Sequence, residues 1–116
     1  MTREIIFYQN HFVDFYDEQD VKTQQKIDYV FQLVRTVERV PVKFLKHLEG
    51  TDGLYEIRVE HKSNIYRIMC CFDEGQIVVL FNAFQKKTQK TPKSEIDQAE
   101  KFRKAYLLEK RKDKNG

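Results

Sequence analysis

The sequence predicts an α+β fold in the order β-α-α-β-β-β-α, with helices and strands largely segregated along the chain. Three observations predict it. Apolar residues recur with the helical period in residues 11–40, alternate with polar ones in residues 54–84, and return to the helical period after residue 91. With 116 residues, 41% of them hydrophobic, the chain can build one hydrophobic core and is too short for two.

The N-terminal part is predicted to form one strand followed by two helices. Residues 5–8 are a short β-prone run, and Asn10 is a suitable N-cap for a first helix with three aromatic residues at helical spacing. A longer helix then runs to about residue 40, where Pro41 ends it. Its apolar face consists of Ile27, Val30, Phe31, Val34 and Val37. Because the link between the helices is short, we expect them to pack as a hairpin.

The middle of the chain is predicted to form a three-stranded meander. Residues 54–60 alternate apolar and charged side chains, and residues 65–72 and 76–84 follow after short polar turns. We therefore expect an antiparallel sheet that packs on the helical hairpin. Residues 42–48, just before it, are predicted to contain a helical turn with its apolar side chains directed inward.

A third helix is predicted at the C-terminal end. Thr91 is a good N-cap and Pro92 a preferred first helical residue. An apolar stripe follows, formed by Ile96, Ala99, Phe102, Tyr106 and Leu107. Residues 109–116 lack such a stripe and are expected to fray as a basic tail. The sequence therefore predicts one domain over residues 1–108.

Charge is unevenly distributed along the chain. Residues 1–84 hold 10 Lys and Arg against 13 Asp and Glu, whereas residues 85–116 hold 11 against 5. The basic end suits a polyanion such as RNA or an acidic partner, or is simply a solvated helix surface. No apolar run is long enough to cross a membrane and no leader segment is evident, so we expect a soluble cytoplasmic protein. The adjacent Cys70 and Cys71 have no spacing suited to zinc, and neither a metal nor a cofactor is predicted.

The alternation in the strands predicts which charged side chains share a face of the sheet. Glu56 and Arg58 lie opposite the apolar set of their strand, and Arg67 lies opposite the larger apolar set of the next strand. We therefore expect Arg58 and Arg67 on one open face, close to the lysines that follow the third strand. Guanidinium groups bind phosphate in a bidentate manner, so this face suits a phosphate. The alternative is ordinary salt bridges within the sheet, from Glu56 or Glu60 to these arginines.

Four short motifs, in the same order and with similar spacing, resemble the RelE/HigB superfamily of bacterial toxins. They are FLKHL at 44–48, GLYEIR at 53–58, IYRI at 65–68 and FQKKTQKTP at 84–92. The last motif, with Glu95, Ile96 and Ala99 after it, is similar to the phage-derived HigB-like branch. The resemblance covers most of the chain and implies a RelE-like fold.

The resemblance also implies an activity and its partners. It implies the toxin of a type II toxin–antitoxin pair, a ribosome-dependent endoribonuclease that enters the ribosomal A site and cuts mRNA without a metal. The ribose 2′-OH would attack the adjacent phosphate and leave a 2′,3′-cyclic phosphate and a 5′-OH end. A HigA-like helix-turn-helix antitoxin would neutralise the toxin within a hetero-oligomer.

The matching positions imply roles for individual residues. Arg67 matches the arginine that binds the phosphate and stabilises the transition state. Arg58 falls where RelE has a basic residue proposed to act in catalysis. Lys87 falls where RelE has a second functional arginine, proposed as general acid or phosphate contact. Lys86 and Lys90 would hold the RNA backbone.

The sequence departs from RelE at two positions. Glu56 stands where RelE has a lysine, and it is suited either to act as a base or to form a pair with Arg58 that positions a phosphate. His61, in the turn after the same strand, is a second candidate near the RNA, together with Lys62. The C-terminal tyrosine that stacks on the mRNA base in RelE has no equivalent, because Lys93 occupies that region. Tyr106 would replace it only if the last helix folds back over the sheet.

Two other functions remain open from the sequence. Relatives of the same fold inhibit DNA gyrase without cutting RNA. Such relatives tend to lack the full set of basic catalytic residues, so Arg67 and the Lys86-Lys87 run argue against this function without excluding it. Alternatively, the basic C-terminal helix binds nucleic acid or a protein partner without chemistry. The appearance of new RNA ends distinguishes the nuclease from both.

Overall fold

A computed structural model describes residues 2–87 and 90–115. In chain order the elements are β1 (Glu4–Phe7), α1 (His11–Asp17), α2 (Val21–Thr36), β2 (Leu45–His47), β3 (Tyr55–His61), β4 (Asn64–Asp73), β5 (Ile77–Lys86) and α3 (Lys93–Asn115). The predicted α+β class is confirmed. None of these helices is both long and apolar enough to cross a bilayer.

One five-stranded mixed sheet organises the fold, in the order β1-β5-β4-β3-β2. The meander of β3, β4 and β5 is antiparallel, as the turns between these strands predict. β1 pairs in parallel with β5, and β2 pairs antiparallel with β3 at the opposite edge. The meander therefore forms the centre of the sheet, with β1 at one edge and β2 at the other.

The segment before the meander forms a strand, so the predicted helical turn over residues 42–48 is only partly correct. Phe44 and Leu45 donate backbone hydrogen bonds to the carbonyl of Pro41, which makes a single turn. The chain then extends, and Lys46 pairs with Glu56 of β3. A helix this short has little stability of its own, whereas the open edge of β3 offers backbone partners.

The helical hairpin of α1 and α2 covers one face of the sheet, as predicted. Its core contains Phe12, Ile27, Val30, Phe31 and Val34 from the helices and Ile57, Val59, Tyr66, Ile68, Cys70, Val78 and Leu80 from the strands. Asp20 caps α2 by accepting a 2.7 Å bond from the backbone of Thr23. Asn10 precedes α1 but makes no side-chain cap bond.

Arg3 fixes the C-terminal end of α2, which lies several residues before Pro41. Its Nη1 donates to the carbonyls of Val34 and Val37 at 2.8 and 2.7 Å, and its Nη2 donates to the carbonyl of Glu38 at 2.6 Å. These carbonyls lie at and just beyond the helix end, where a cation is also favoured by the helix dipole. Arg3 therefore joins the start of the chain to α2.

We expect Arg3→Ala to lower the free energy of unfolding by about 2 kcal/mol, because it removes charged donors from partly buried carbonyls. Urea unfolding followed by circular dichroism measures the change. Arg39→Ala, at an exposed position close to the same helix end, is the matched control and is expected to stay within about 0.5 kcal/mol of the wild type. Equal midpoints for the two variants would contradict the assigned role of Arg3.

α3 folds back across the second face of the sheet, which the sequence predicted to be open. Its core contains Tyr8, Leu48, Leu54, Met69, Cys71, Val79, Phe81 and Ala99. The helix continues to Asn115, beyond the apolar stripe that the sequence predicts. Polar contacts extend its attachment to the sheet as far as Lys110, since Tyr106 donates to Asp73 at 2.6 Å and Lys110 donates to Asp73 at 2.7 Å.

Candidate active site

A cleft of about 540 Å³ opens on the α3 side of the sheet, between β2, β3, the end of β5 and the start of α3. Four cationic side chains line it against two carboxylates, those of Glu49 and Glu56. The cations are Lys46, Arg58, Lys86 and Lys90. The cleft is therefore electropositive and suits an anionic ligand.

Arg58 and Arg67 occupy directly opposed positions on β3 and β4. Opposed residues of an antiparallel pair share a face, so the two arginines project to the same side, as the alternation predicts. Arg58 lines the cleft itself, whereas Arg67 lies deeper and is only 6% exposed. Two like charges at opposed positions repel each other and need a compensating anion.

Glu56 supplies that anion and is 2% exposed. Its Oε1 accepts from Arg58 Nε at 3.2 Å, and the hydroxyl of Thr91 donates to its Oε2 at 2.9 Å. Arg67 Nε lies 3.6 Å from the same Oε2, which is an ion-pair distance and too long for a hydrogen bond. Because both carboxylate oxygens are engaged, the geometry favours positioning of the arginines over the alternative of a general base.

Arg67 is a buried cation whose hydrogen-bonding capacity is incompletely used. Its Nη1 donates to the carbonyl of Tyr66 at 3.1 Å, but its buried Nε has no hydrogen-bond partner. Burial lowers the pKa of Arg67, Glu56 opposes this effect, and Arg58 adds to it. Glu56 thus faces two guanidinium groups, and an anion in the cleft would reduce the repulsion between them.

A β-bulge decides which lysine after Phe84 faces the arginines. Between the pairs Ile68–Ala83 and Cys70–Leu80, one residue of β4 stands opposite two residues of β5. The extra residue reverses the alternation of β5, as bulges near functional sites often do. The buried amide of Asn82, at the bulge, donates to Glu95 Oε1 at 2.9 Å and so ties the bulge to the first turn of α3.

Lys86, and not Lys87, consequently lies beside the arginines. Lys86 pairs with Ile65, which is on the same face of β4 as Arg67, and it lines the cleft. Burial lowers the pKa of Lys86, and Arg67, Arg58 and Lys46 lower it further, with Glu56 opposing them. Lys87 is exposed and does not line the cleft. The bulge lies between Val79 and the lysines, so side chains after it point to the opposite face from the one that uninterrupted alternation would give. The structure thus places Lys86, rather than Lys87, in the cleft.

The family model described as Phage derived protein Gp49-like (DUF891) matches residues 14–104, a range that includes the whole cleft. The chain belongs to this Gp49-like family. The family is of the RelE/HigB-like toxin type, so the resemblance seen in the sequence is confirmed at that level. The five-stranded sheet with its three helices is consistent with a RelE-like fold. No curated protein matches the chain.

His61 and Lys62, which the sequence predicts to lie beside the RNA, do not line the cleft of the Gp49-like protein. His61 alternates with Ile57 and Val59 and so belongs to the face that carries the helical hairpin. Hydrogen bonds from Thr23 lower the pKa of Asp20 at the start of α2, and the charges of His61 and Lys62 lower it further. Lys62, in the turn after β3, lines a separate depression on the other side of Arg58.

Lys46 and Thr91 belong to the cleft although the sequence assigned neither of them to the site. Lys46 reaches it because β2 pairs with β3, which the predicted turn concealed. Thr91 does not cap α3, since the first helical bonds of Glu95 and Ile96 run to the carbonyl of Pro92. Its hydroxyl instead donates a hydrogen bond to Glu56 Oε2. Both residues lie in motifs that carry the RelE/HigB resemblance, FLKHL for Lys46 and FQKKTQKTP for Thr91, and these motifs were the signal in the sequence that could have identified them.

The last helix of the Gp49-like protein does fold over the sheet, but it does not bring Tyr106 to the cleft. The Tyr106 hydroxyl donates to Asp73, at the opposite end of β4 from Arg67. Burial and this bond raise the pKa of Tyr106 to about 12. Tyr106 is therefore a packing residue between α3 and the sheet. Within the described residues no group of three or more His, Cys, Asp or Glu side chains is arranged to hold a metal.

Proposed function

We propose that this Gp49-like protein is the toxin of a type II toxin–antitoxin pair, belongs to the HigB-like branch, and cuts translated mRNA in the ribosomal A site. The observation that supports the nuclease is that Arg58 and Arg67 converge on the buried carboxylate of Glu56, at the wall of an electropositive cleft that Lys86 also lines. A phosphodiester carries the charge that this cluster lacks. The family assignment supports the toxin.

The proposed reaction is attack of the ribose 2′-oxygen on the adjacent phosphorus. The 2′-oxygen passes its proton to water in the open cleft and bonds to phosphorus. The bond from phosphorus to the 5′-oxygen breaks, and the 5′-oxygen takes a proton from Lys86 or from water. Arg58 and Arg67 would stabilise the negative charge that accumulates on phosphorus. Lys86 would protonate the leaving oxygen or hold it by a charged hydrogen bond. Glu56 would orient both arginines, and Lys46 and Lys90 would bind the flanking backbone.

We further propose that a HigA-like helix-turn-helix antitoxin holds the toxin inactive in a hetero-oligomer in the cytoplasm. This part of the proposal follows from the toxin type of the family. Co-expression with the neighbouring reading frame is expected to restore growth and to yield a co-purifying complex. Growth arrest that the neighbouring reading frame does not relieve would refute the proposed antitoxin but would not bear on the proposed nuclease activity.

Mapping of RNA ends after a short induction in a bacterial host tests the nuclease. We expect new 5′-hydroxyl ends within translated codons when the wild type is induced, and none when Arg67→Ala is induced to the same level. The ends should disappear when translation initiation is blocked, because the substrate is mRNA on the ribosome. Growth arrest without new RNA ends would instead support the non-nucleolytic inhibitor of DNA gyrase.

A further inference from the structure

Thr91 connects the start of α3 to the charged cluster, and it does so through the most buried member of that cluster. Its hydroxyl lies 2.9 Å from Glu56 Oε2, and the two residues are 35 positions apart in the chain. Glu56 Oε2 is also the only carboxylate oxygen within 4 Å of Arg67 among the described ion pairs. Thr91 and Arg67 therefore face the same oxygen atom, and the bond from Thr91 helps to fix its position.

The distances show that the Thr91 hydroxyl, and not Arg67 Nε, is the group bonded to Glu56 Oε2. The hydroxyl of Thr91 forms a hydrogen bond, whereas Arg67 Nε stays at 3.6 Å and without a partner although it is buried. A buried N–H without a partner is costly. A rotation of the Glu56 carboxylate that moves Oε2 by a few tenths of an ångström would bring it within hydrogen-bonding distance of Arg67 Nε. The terminal torsion of a glutamate is broad and does not resist that rotation by itself. The hydroxyl of Thr91 is the contact on Oε2 that opposes it.

We propose that Thr91 is a positioning residue, whose hydroxyl holds Glu56 Oε2 away from Arg67 and so keeps the Arg67 guanidinium available to the substrate phosphate. The expected effect on catalysis rests on the proposed function, whereas the effect on Arg67 rests only on the geometry of Glu56. A guanidinium that is saturated by Glu56 stabilises added negative charge less well. Thr91 contributes no charge and touches no reacting atom in this assignment.

The variants Thr91→Val and Thr91→Ser separate this role from a structural one. Valine keeps the branched shape and removes the hydroxyl, whereas serine keeps the hydroxyl. We expect Thr91→Val to lower the single-turnover cleavage rate at saturating protein about tenfold, because a small misplacement of a charged group is costly in the transition state. The half-saturating protein concentration should change by less than about twofold, since ground-state binding is retained. Thr91→Ser should restore the rate, and Thr36→Val, on the far side of α2, should match the wild type.

A second measurement does not depend on cleavage. The Nε–H proton of Arg67, assigned by its loss in Arg67→Lys, reports its hydrogen bonding by nuclear magnetic resonance. In Thr91→Val we expect this resonance to move downfield and its exchange with water to slow, because Glu56 turns to accept from it. Thr91→Ser should leave it at the wild-type position.

The two measurements distinguish failure of this inference from failure of the proposed function. If the wild type produces no cleavage, the nuclease is refuted and the resonance alone decides the role of Thr91. An unchanged Arg67 resonance in Thr91→Val, or a cleavage rate equal to that of the wild type, would overturn the inference. A fall in rate that Thr91→Ser does not rescue would assign Thr91 to packing only.

Discussion

Replacement of Arg67 by alanine is expected to lower the rate of mRNA cleavage by about 10²–10³-fold, the usual loss when one donor to a developing negative charge is removed. Arg67 is the most buried cation of the cluster, and a charge in such a place acts through less solvent screening than an exposed one. Single-turnover cleavage of a message on programmed ribosomes, with 5′-hydroxyl ends as the product, measures the effect.

Two further variants keep this prediction specific. Arg67→Lys retains the charge but loses the planar donor fork, so we expect it to recover only part of the rate. Arg39→Ala, at an exposed position, removes a positive charge outside the cluster and should leave the rate unchanged. Thermal unfolding identifies any variant that fails to fold. A folded Arg67→Ala protein that cuts as fast as the wild type would remove Arg67 from the mechanism.

Replacement of Lys86 by alanine is expected to lower the cleavage rate by about 10²-fold, the lower end of what a general acid contributes. Lys86 lines the cleft, and both its burial and the neighbouring guanidinium groups lower its pKa, which makes its ammonium a better proton donor. Lys87→Ala is the matched control, since it removes the same charge one residue later. We expect it to change the rate by less than about threefold, because rim charges act weakly through solvent.

The comparison of these two lysines also tests the bulge in β5. The resemblance to RelE gives Lys87 a place in the site, whereas the register of β4 and β5 gives the place beside Arg67 to Lys86. A large loss in Lys87→Ala with a small loss in Lys86→Ala would contradict the register and restore the assignment made from the sequence. Equal losses in both would indicate that the two lysines act only through long-range attraction of RNA, which salt would weaken.

The sequence alone determined the architecture and the shared face of the two arginines. The helical hairpin follows from the period of its apolar residues, and the meander follows from alternation between short turns. Arg58 and Arg67 share a face because side chains alternate strictly along regular strands, and both strands are regular at those positions. The motifs of the RelE/HigB resemblance also predicted the toxin-type family correctly.

Tertiary structure alone decided which lysine lies beside Arg67 and that Lys46 and Thr91 complete the cleft. Lys46 enters it through pairing of β2 with β3, Lys86 through a bulge that Asn82 ties to α3, and Thr91 through a bond to Glu56. Each of these depends on a contact between residues distant in sequence. Local periodicity encodes the direction of a side chain only while the backbone stays regular. At an edge strand, a bulge or the start of a helix, the direction of a side chain depends on the element packed against it. The pattern of residues in a single sequence does not identify that element.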